Sequence, residues 1–176
     1  MEFTEEPLIS GFVPKSGSPV GKQVSEYLLN AAPQAQVVTV LYRMAGSPAV
    51  EGEMPFADVA EDAWYRDAVT WAVEAGVMTG YSETEFGPDD YLTREQLAAV
   101  LYRHAVWSDL DVSVGEDTNL LSYRDVDQVS QWAVEAMQWA VGTGILTGSN
   151  GCLMPDGHAT RAQCAVILMR YCQLEA

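Results

Sequence analysis

An all-α domain built from repeated helix-loop-helix units is the fold this sequence predicts, and three observations predict it. A long internal repeat fills the middle and end of the chain. The first helix of each copy carries apolar residues at helical spacing, and the second opens on a matched capping signal. No run of four or more residues reads as a strand.

The repeat is read residue by residue. Phe56-Ala57-Asp58-Val59, Trp64, Ala68, Trp71-Ala72, Gly76-Val77, Gly80, Pro88-Asp89, Thr93-Arg94, Gln96, Leu101 and Arg103 make one copy. Tyr123-Arg124-Asp125-Val126, Trp132, Ala136, Trp139-Ala140, Gly144-Ile145, Gly148, Pro155-Asp156, Thr160-Arg161, Gln163, Leu168 and Arg170 make another. Equivalent positions lie 67 or 68 residues apart, so one insertion and one deletion account for the drift. A partial copy lies upstream, where Gln36 to Arg43 matches Gln96 to Arg103. The chain therefore divides into an N-terminal segment 1–30, a partial first repeat 31–46, a second repeat 56–106 and a third repeat 123–173.

In chain order, residues 1–30 are rich in Gly, Ser and Pro and match no part of the repeat, although Lys22 to Leu29 is weakly helical. The first helix of the second repeat follows from Trp64, Ala68, Trp71, Ala72 and Ala75, one apolar stripe at period 3.6. Asp62 and Ser130 are the expected N-caps of the first helices, and Gly76 and Gly144 the expected C′ residues. The second helices open on Thr93-Arg94-Glu95-Gln96 and Thr160-Arg161-Ala162-Gln163. In both, the threonine bonds forward and the glutamine reaches back. Leu97, Val100 and Leu101 form the buried face of the helix that follows. The linkers are 47–55 and 107–122. A short helix pair cannot bury both its apolar faces, so neighbouring repeats must pack together.

Composition narrows the function. The chain has 176 residues, 48% of them hydrophobic, with 25 acidic against 9 basic residues and a net charge of -16. That charge repels phosphate backbones and anionic bilayers, so neither nucleic acid nor a membrane surface is an expected partner. The apolar runs are too short to span a bilayer. Met1-Glu2-Phe3-Thr4-Glu5-Glu6 is acidic and lacks an apolar region, so it does not read as a signal peptide. The expectation is an intracellular protein or a piece of a longer exported chain. Cys152, Cys164 and Cys172 show no metal spacing. Cys164 and Cys172 on one helix would be about 12 Å apart, too far to bridge. Asp109, Asp111, Glu116 and Asp117 do not fit a calcium loop and read as a solvated acidic linker. No cofactor is expected.

The chemistry rests on Arg94 and Arg161. Each follows an N-cap and sits in the first turn of a helix, where a cation costs about 0.3–1 kcal/mol against the helix dipole. An anion at the same place resolves the cost, held by backbone N–H groups and the guanidinium. The anion could be a ligand carboxylate or phosphate, or a protein carboxylate such as Asp58 or Asp125. A site repeated once per unit favours a multivalent binder over an enzyme, which needs different groups converging once. A glycosidase-like carboxylate pair is the enzyme alternative, but no Asp/Glu pair is unique to one place and His104 and His158 are isolated. Trp64, Trp71, Trp132 and Trp139 read as core, with a sugar-stacking platform as the sharper reading for Trp64 or Trp132.

These residues together resemble the S-layer homology (SLH) domain family, over about residues 34–172. The resemblance implies a noncatalytic module that anchors a protein to the bacterial cell surface. It implies three helix-loop-helix repeats in a pseudo-threefold spindle. Its grooves hold secondary cell-wall polysaccharide, often with pyruvylated N-acetylmannosamine, or modified peptidoglycan. The arginine of the Thr-Arg motif would face the acidic group, which assigns Arg94 and Arg161, flanked by Thr93, Thr160, Gln96 and Gln163. Trp64, Trp132, Asp58, Asp125, Gly80 and Gly148 would line the grooves. The first repeat departs from the pattern: Pro33-Gln34 stands where Thr-Arg is expected, so its groove lacks a cation. An incomplete spindle would expose apolar surface, and a homodimer is the expected remedy. A protein-interaction or self-assembly module with internally paired arginines is the alternative function. Replacing both arginines by alanine is expected to abolish wall binding and leave helicity intact.

Overall fold

The computed structural model describes residue 27 and residues 30–174. Among the described residues the fold is made by five helices: α1 (Gln34–Met44), α2 (Arg66–Glu74), α3 (Arg94–Trp107), α4 (Val134–Gly142) and α5 (Arg161–Cys172). Single 3-10 turns lie at Ser113–Gly115, Val126–Gln128 and Gln131–Ala133. The described residues hold no strand, only four isolated bridges, so the all-α reading stands. The weakly helical stretch Lys22 to Leu29 lies outside the described residues apart from Tyr27, as does any first helix of the first repeat. No helix among the described residues is long and apolar enough to cross a membrane.

The local signals work as the sequence sets them out. Thr93 and Thr160 each accept a hydrogen bond from the N3 backbone, and Gln96 and Gln163 reach back to the N-cap N–H, completing both capping boxes. α2 ends in a Schellman turn, with Gly76 N–H on Val73 O (3.0 Å) and Val77 N–H on Ala72 O (2.8 Å). Gly76 and Gly144 both sit in the left-handed region, at φ 69° and 74°. α3 closes the same way with Asp109 at φ 58° in the glycine's place.

The start of the first helix is corrected. The stripe puts Trp64 in a helix capped by Asp62, but α2 begins at Arg66 with Tyr65 at the N-cap. Successive turns occupy the preceding residues, and Arg66 Nη1 makes only long contacts to the Val59 and Ala60 carbonyls (3.3 and 3.4 Å). Trp64 is left outside, 58% exposed. In the third repeat a 3-10 turn precedes α4 and Trp132 is 57% exposed. Ser130 makes no side-chain cap bond. Trp71 and Trp139, in contrast, are buried core. The acidic linker is also more ordered than expected. Its carboxylates are exposed, but Leu120 is buried and Gly115 lies against the Trp139 backbone, where an added Cβ would meet it at 3.1 Å.

The core joins the second helices of the repeats. Leu41, Leu101 and Leu168 occupy equivalent positions and all are buried. His104 on α3 shares a 2.6 Å hydrogen bond with Tyr171 on α5, and the Leu41 carbonyl of α1 also acts on His104. Where the helices begin, three bridges form a ring. Pro33 pairs with Tyr91, Thr93 with His158, and Thr160 with Ala31. Each N-cap position thus pairs with the residue two before the N-cap of the next repeat, and the last pairs back with the first.

Candidate functional site: a groove at the junction of the second and third repeats

The ring of bridges determines what happens at each helix start. In α3, Arg94 N–H donates to Gly157 O (2.9 Å) and Glu95 N–H to Pro155 O (3.0 Å). Gln96 N–H goes to Thr93 Oγ1 at 3.2 Å. In α1, Gln34 and Ala35 N–H donate to the matching carbonyls of Asp90 and Pro88 (2.8 and 3.0 Å). The first N–H groups of α3 are therefore consumed by the neighbouring repeat. This corrects the expectation of free backbone donors for an anion: whatever binds here meets side chains.

Arg94 is 5% exposed, yet it pairs with no internal aspartate. Its Nε donates to Leu153 O (2.8 Å) and its Nη2 to Thr147 O (3.0 Å). Those carbonyls belong to the interhelix loop of the third repeat, so the guanidinium ties two repeats together. Its Nη1 makes no hydrogen bond among the described residues. Burial lowers the pKa of Arg94, and nearby Cys164 and Asp125 oppose the shift. A guanidinium so placed stays charged at neutral pH. The same burial pushes the Cys164 thiol up to about 11, so it is a packed thiol, not a nucleophile.

A groove of about 340 Å³ opens beside Arg94, lined also by Thr147, Gly148, Ser149, Met154, Ala162, Gln163, Val166, Ile167 and Arg170. It brings together Arg94, Gln163 and Gly148 of the sequence-assigned residues. The others lie elsewhere. Asp58 accepts the backbone N–H groups of Phe86 (3.0 Å) and Gly87 (2.7 Å). Asp125 accepts the equivalent pair, Leu153 (2.8 Å) and Met154 (2.7 Å). Both aspartates shape the interhelix loops. Burial resists ionisation of Asp125, but those N–H bonds outweigh it and hold its pKa below the usual carboxylate value. Gly80 and Gly148 are close-packing positions; a Cβ at Gly80 would meet the Phe56 ring and Glu85 O, both at 2.7 Å. Thr93 and Thr160 cap their helices, while Trp64 and Trp132 stand exposed away from the groove-lining set.

Arg161 has different company. It is half-buried, its Nε donates to Gln36 Oε1 (3.2 Å), and its guanidinium lies 4.3 Å from the centre of the Tyr27 ring. The loop corresponding to Leu153 would lie in residues 1–30, outside the described set apart from Tyr27 and Asn30. Gln34 completes the comparison. Its Nε2 donates to Phe86 O (2.9 Å) and Gly87 O (3.1 Å), and Phe86 is the counterpart of Leu153. Glutamine thus keeps the repeat-joining bond of the arginine and omits its charge.

Two residues escape sequence reasoning. Glu95, buried at 7% exposure, accepts from Ser130 N–H (2.9 Å) and Oγ (2.8 Å) and ties α3 to the start of the third repeat. Its counterpart Ala162 has no carboxylate, so the repeat gives no signal for it. Arg170 has only a place in the repeat, matching Arg103. Of the histidines, His104 is core and His158 is exposed with its ring 6.0 Å from Tyr91. No group of three or more His, Cys, Asp or Glu residues that could hold a metal ion occurs among the described residues.

Known proteins share this pattern. The family model described as S-layer homology domain matches residues 55–98 and 122–165, together half of the chain. The Surface-layer 125 kDa protein of Lysinibacillus sphaericus is 38% identical over 124 residues, covering 68% of this chain and 10% of that protein. An Endoglucanase of Bacillus sp. (strain KSM-635) is 31% identical over 136 residues, covering 77% of this chain and 14% of that protein. A Cell surface protein of Thermoanaerobacter kivui is 29% identical over 117 residues, covering 66% of this chain and 15% of that protein. The chain spans 10% to 15% of the length of these relatives.

Proposed function

We propose that this chain, which belongs to the S-layer homology domain family, is a noncatalytic cell-wall anchor that binds an acidic secondary cell-wall polysaccharide in the groove beside Arg94. The observation that carries the reading is Arg94 itself. In a chain of net charge -16, a guanidinium at 5% exposure lines a groove of about 340 Å³, and one of its nitrogens has no hydrogen bond among the described residues. Desolvated walls strengthen its attraction for a carboxylate. A pyruvyl ketal on N-acetylmannosamine supplies such a carboxylate together with an apolar methyl group that suits Val166 and Ile167.

The relatives' names support the anchoring role. A Surface-layer protein, an Endoglucanase and a Cell surface protein each match this chain over 10% to 15% of their own length, as proteins carrying a detachable anchor would. The role places the protein at the bacterial cell surface and leaves any activity to other parts of a parent chain. The competing reading, arginines paired internally, loses support because the described partners of both guanidiniums are carbonyl or amide oxygens and an aromatic ring.

Alanine is the wrong probe at position 94, since it would strand the Leu153 and Thr147 carbonyls as well as remove the charge. Arg94→Gln is better, because Gln34 already holds the equivalent carbonyl. The variant is expected to melt within a few degrees of the wild type and to co-sediment with Lysinibacillus sphaericus walls at least roughly tenfold more weakly. Walls stripped of their secondary polymer should retain neither protein. Undiminished sedimentation of folded Arg94→Gln would refute the proposal.

A further inference from the structure

The groove holds a second guanidinium. Arg170 lines it beside Arg94, but the two are held differently. Arg94 is fixed by short bonds at 2.8 and 3.0 Å. Arg170 Nη1 reaches Ile145 O at 3.3 Å and Thr147 Oγ1 at 3.4 Å, beyond the usual range for an N–H···O bond. Thr147 stands between them, its carbonyl on Arg94 and its hydroxyl toward Arg170. Two permanently charged groups converge on one threonine. Asp125, which acts on Arg94, already spends its oxygens on Leu153 and Met154 N–H. Both guanidiniums line the one groove, so an anion entering it meets two positive charges.

The second repeat provides the control built into the molecule. Arg103 occupies the position of Arg170, and Thr79 that of Thr147, but Gln34 replaces the groove arginine there. Arg103 is exposed, whereas Arg170 is half-buried. The position turns inward in the repeat where it meets a second cation.

We infer that Arg170 is a second ligand-contacting residue, so that the groove selects an acidic sugar offering another oxygen acceptor beside its acid. Arg94 takes the acid and Arg170 the neighbouring acceptor, with Val166 and Ile167 of the groove lining against an apolar part of the ligand. This assignment rests on the glycan-binding reading above. Calorimetric titration of the folded full chain with secondary polymer extracted from Lysinibacillus sphaericus walls tests it, with thermal melts as the check on folding. Arg170→Gln is expected to bind at least roughly tenfold more weakly. Arg170→Lys, which keeps charge and stem but loses the planar fork, should fall between it and the wild type. Arg103→Gln should bind as the wild type does. Should Arg94→Gln lose binding while Arg170→Gln and Arg170→Lys keep it, Arg170 is a structural staple and the inference is overturned. Should all variants bind equally, the glycan reading falls first.

Discussion

Arg94 carries two tasks on one side chain. Nε and Nη2 join the third-repeat loop to α3, and under the proposed function the remaining nitrogen meets the ligand's acid. Its place in the first turn was legible from the Thr-Arg motif, but its partners were not. Main-chain carbonyls presented by a neighbouring loop leave no mark on residue identity, so sequence reasoning offered Asp58 and Asp125 instead. A second residue-scale prediction concerns His104, which lies at 1% exposure among Trp71, Trp107 and Tyr171. Burial lowers its pKa from the ordinary 6.5, and the Leu41 carbonyl opposes the shift only in part. Below pH 6.5 the unfolded chain therefore takes up a proton that the folded chain resists. Stability is full above that value and falls as pH drops through it. Denaturation midpoints from pH 8 down to about 5 should show the loss, and His104→Gln should flatten it; an unchanged slope in that variant would contradict the assignment. Asp125 acts in a separate, more acidic window. Its depressed pKa contributes stability above 3.8 that is lost below.

At the scale of the element, the signals that depend on nearest neighbours were the legible ones. Capping boxes and C′ glycines obey rules spanning three or four residues, and both second helices start where those rules put them. The Trp64 stripe misled because periodicity records spacing, not where the first helical hydrogen bond forms. Turns closed by Ala63 N–H on Ala60 O and Arg66 N–H on Ala63 O occupy the preceding residues, and the first helical bond is Val69 N–H on Tyr65 O (2.9 Å). Two glycines separate local from tertiary cost. Gly76 and Gly80 share φ 69°, but nothing lies within 4 Å of a Cβ at Gly76, while one at Gly80 meets backbone and ring at 2.7 Å. Gly76→Ala should cost about 1 kcal/mol, and Gly80→Ala clearly more, through overpacking of about 1–3 kcal/mol in addition. Equal losses in chemical denaturation would show that the loop gives way around Phe56. Thr93→Ala should cost about 1 kcal/mol through its cap.

Across the whole molecule, the ring of bridges binds each repeat to both others. Pro33, Thr93 and Thr160 each pair with the segment before the next helix, and His104 joins α3 to α5 at the core. Such closure makes independent melting of a repeat unfavourable. Helical circular dichroism and tryptophan fluorescence should therefore report one coincident transition, whereas separated transitions would show repeats that unfold alone. The α-helical class was readable, because helix signals are properties of aligned residues. Which loop meets which helix was not, since the order of pairing around the ring is set by packing between segments 58 to 129 residues apart.

The most direct test observes the guanidinium during binding. Arginine side-chain Nε–H resonances of isotopically labelled protein can be followed while pyruvylated N-acetylmannosamine is added, with the unmodified sugar as control. The Arg94 signal should move saturably with the pyruvylated sugar and stay still with the other, while exposed Arg103 is unaffected. An Arg94 resonance that never moves, in protein that still sediments with walls, would show that the wall is held elsewhere.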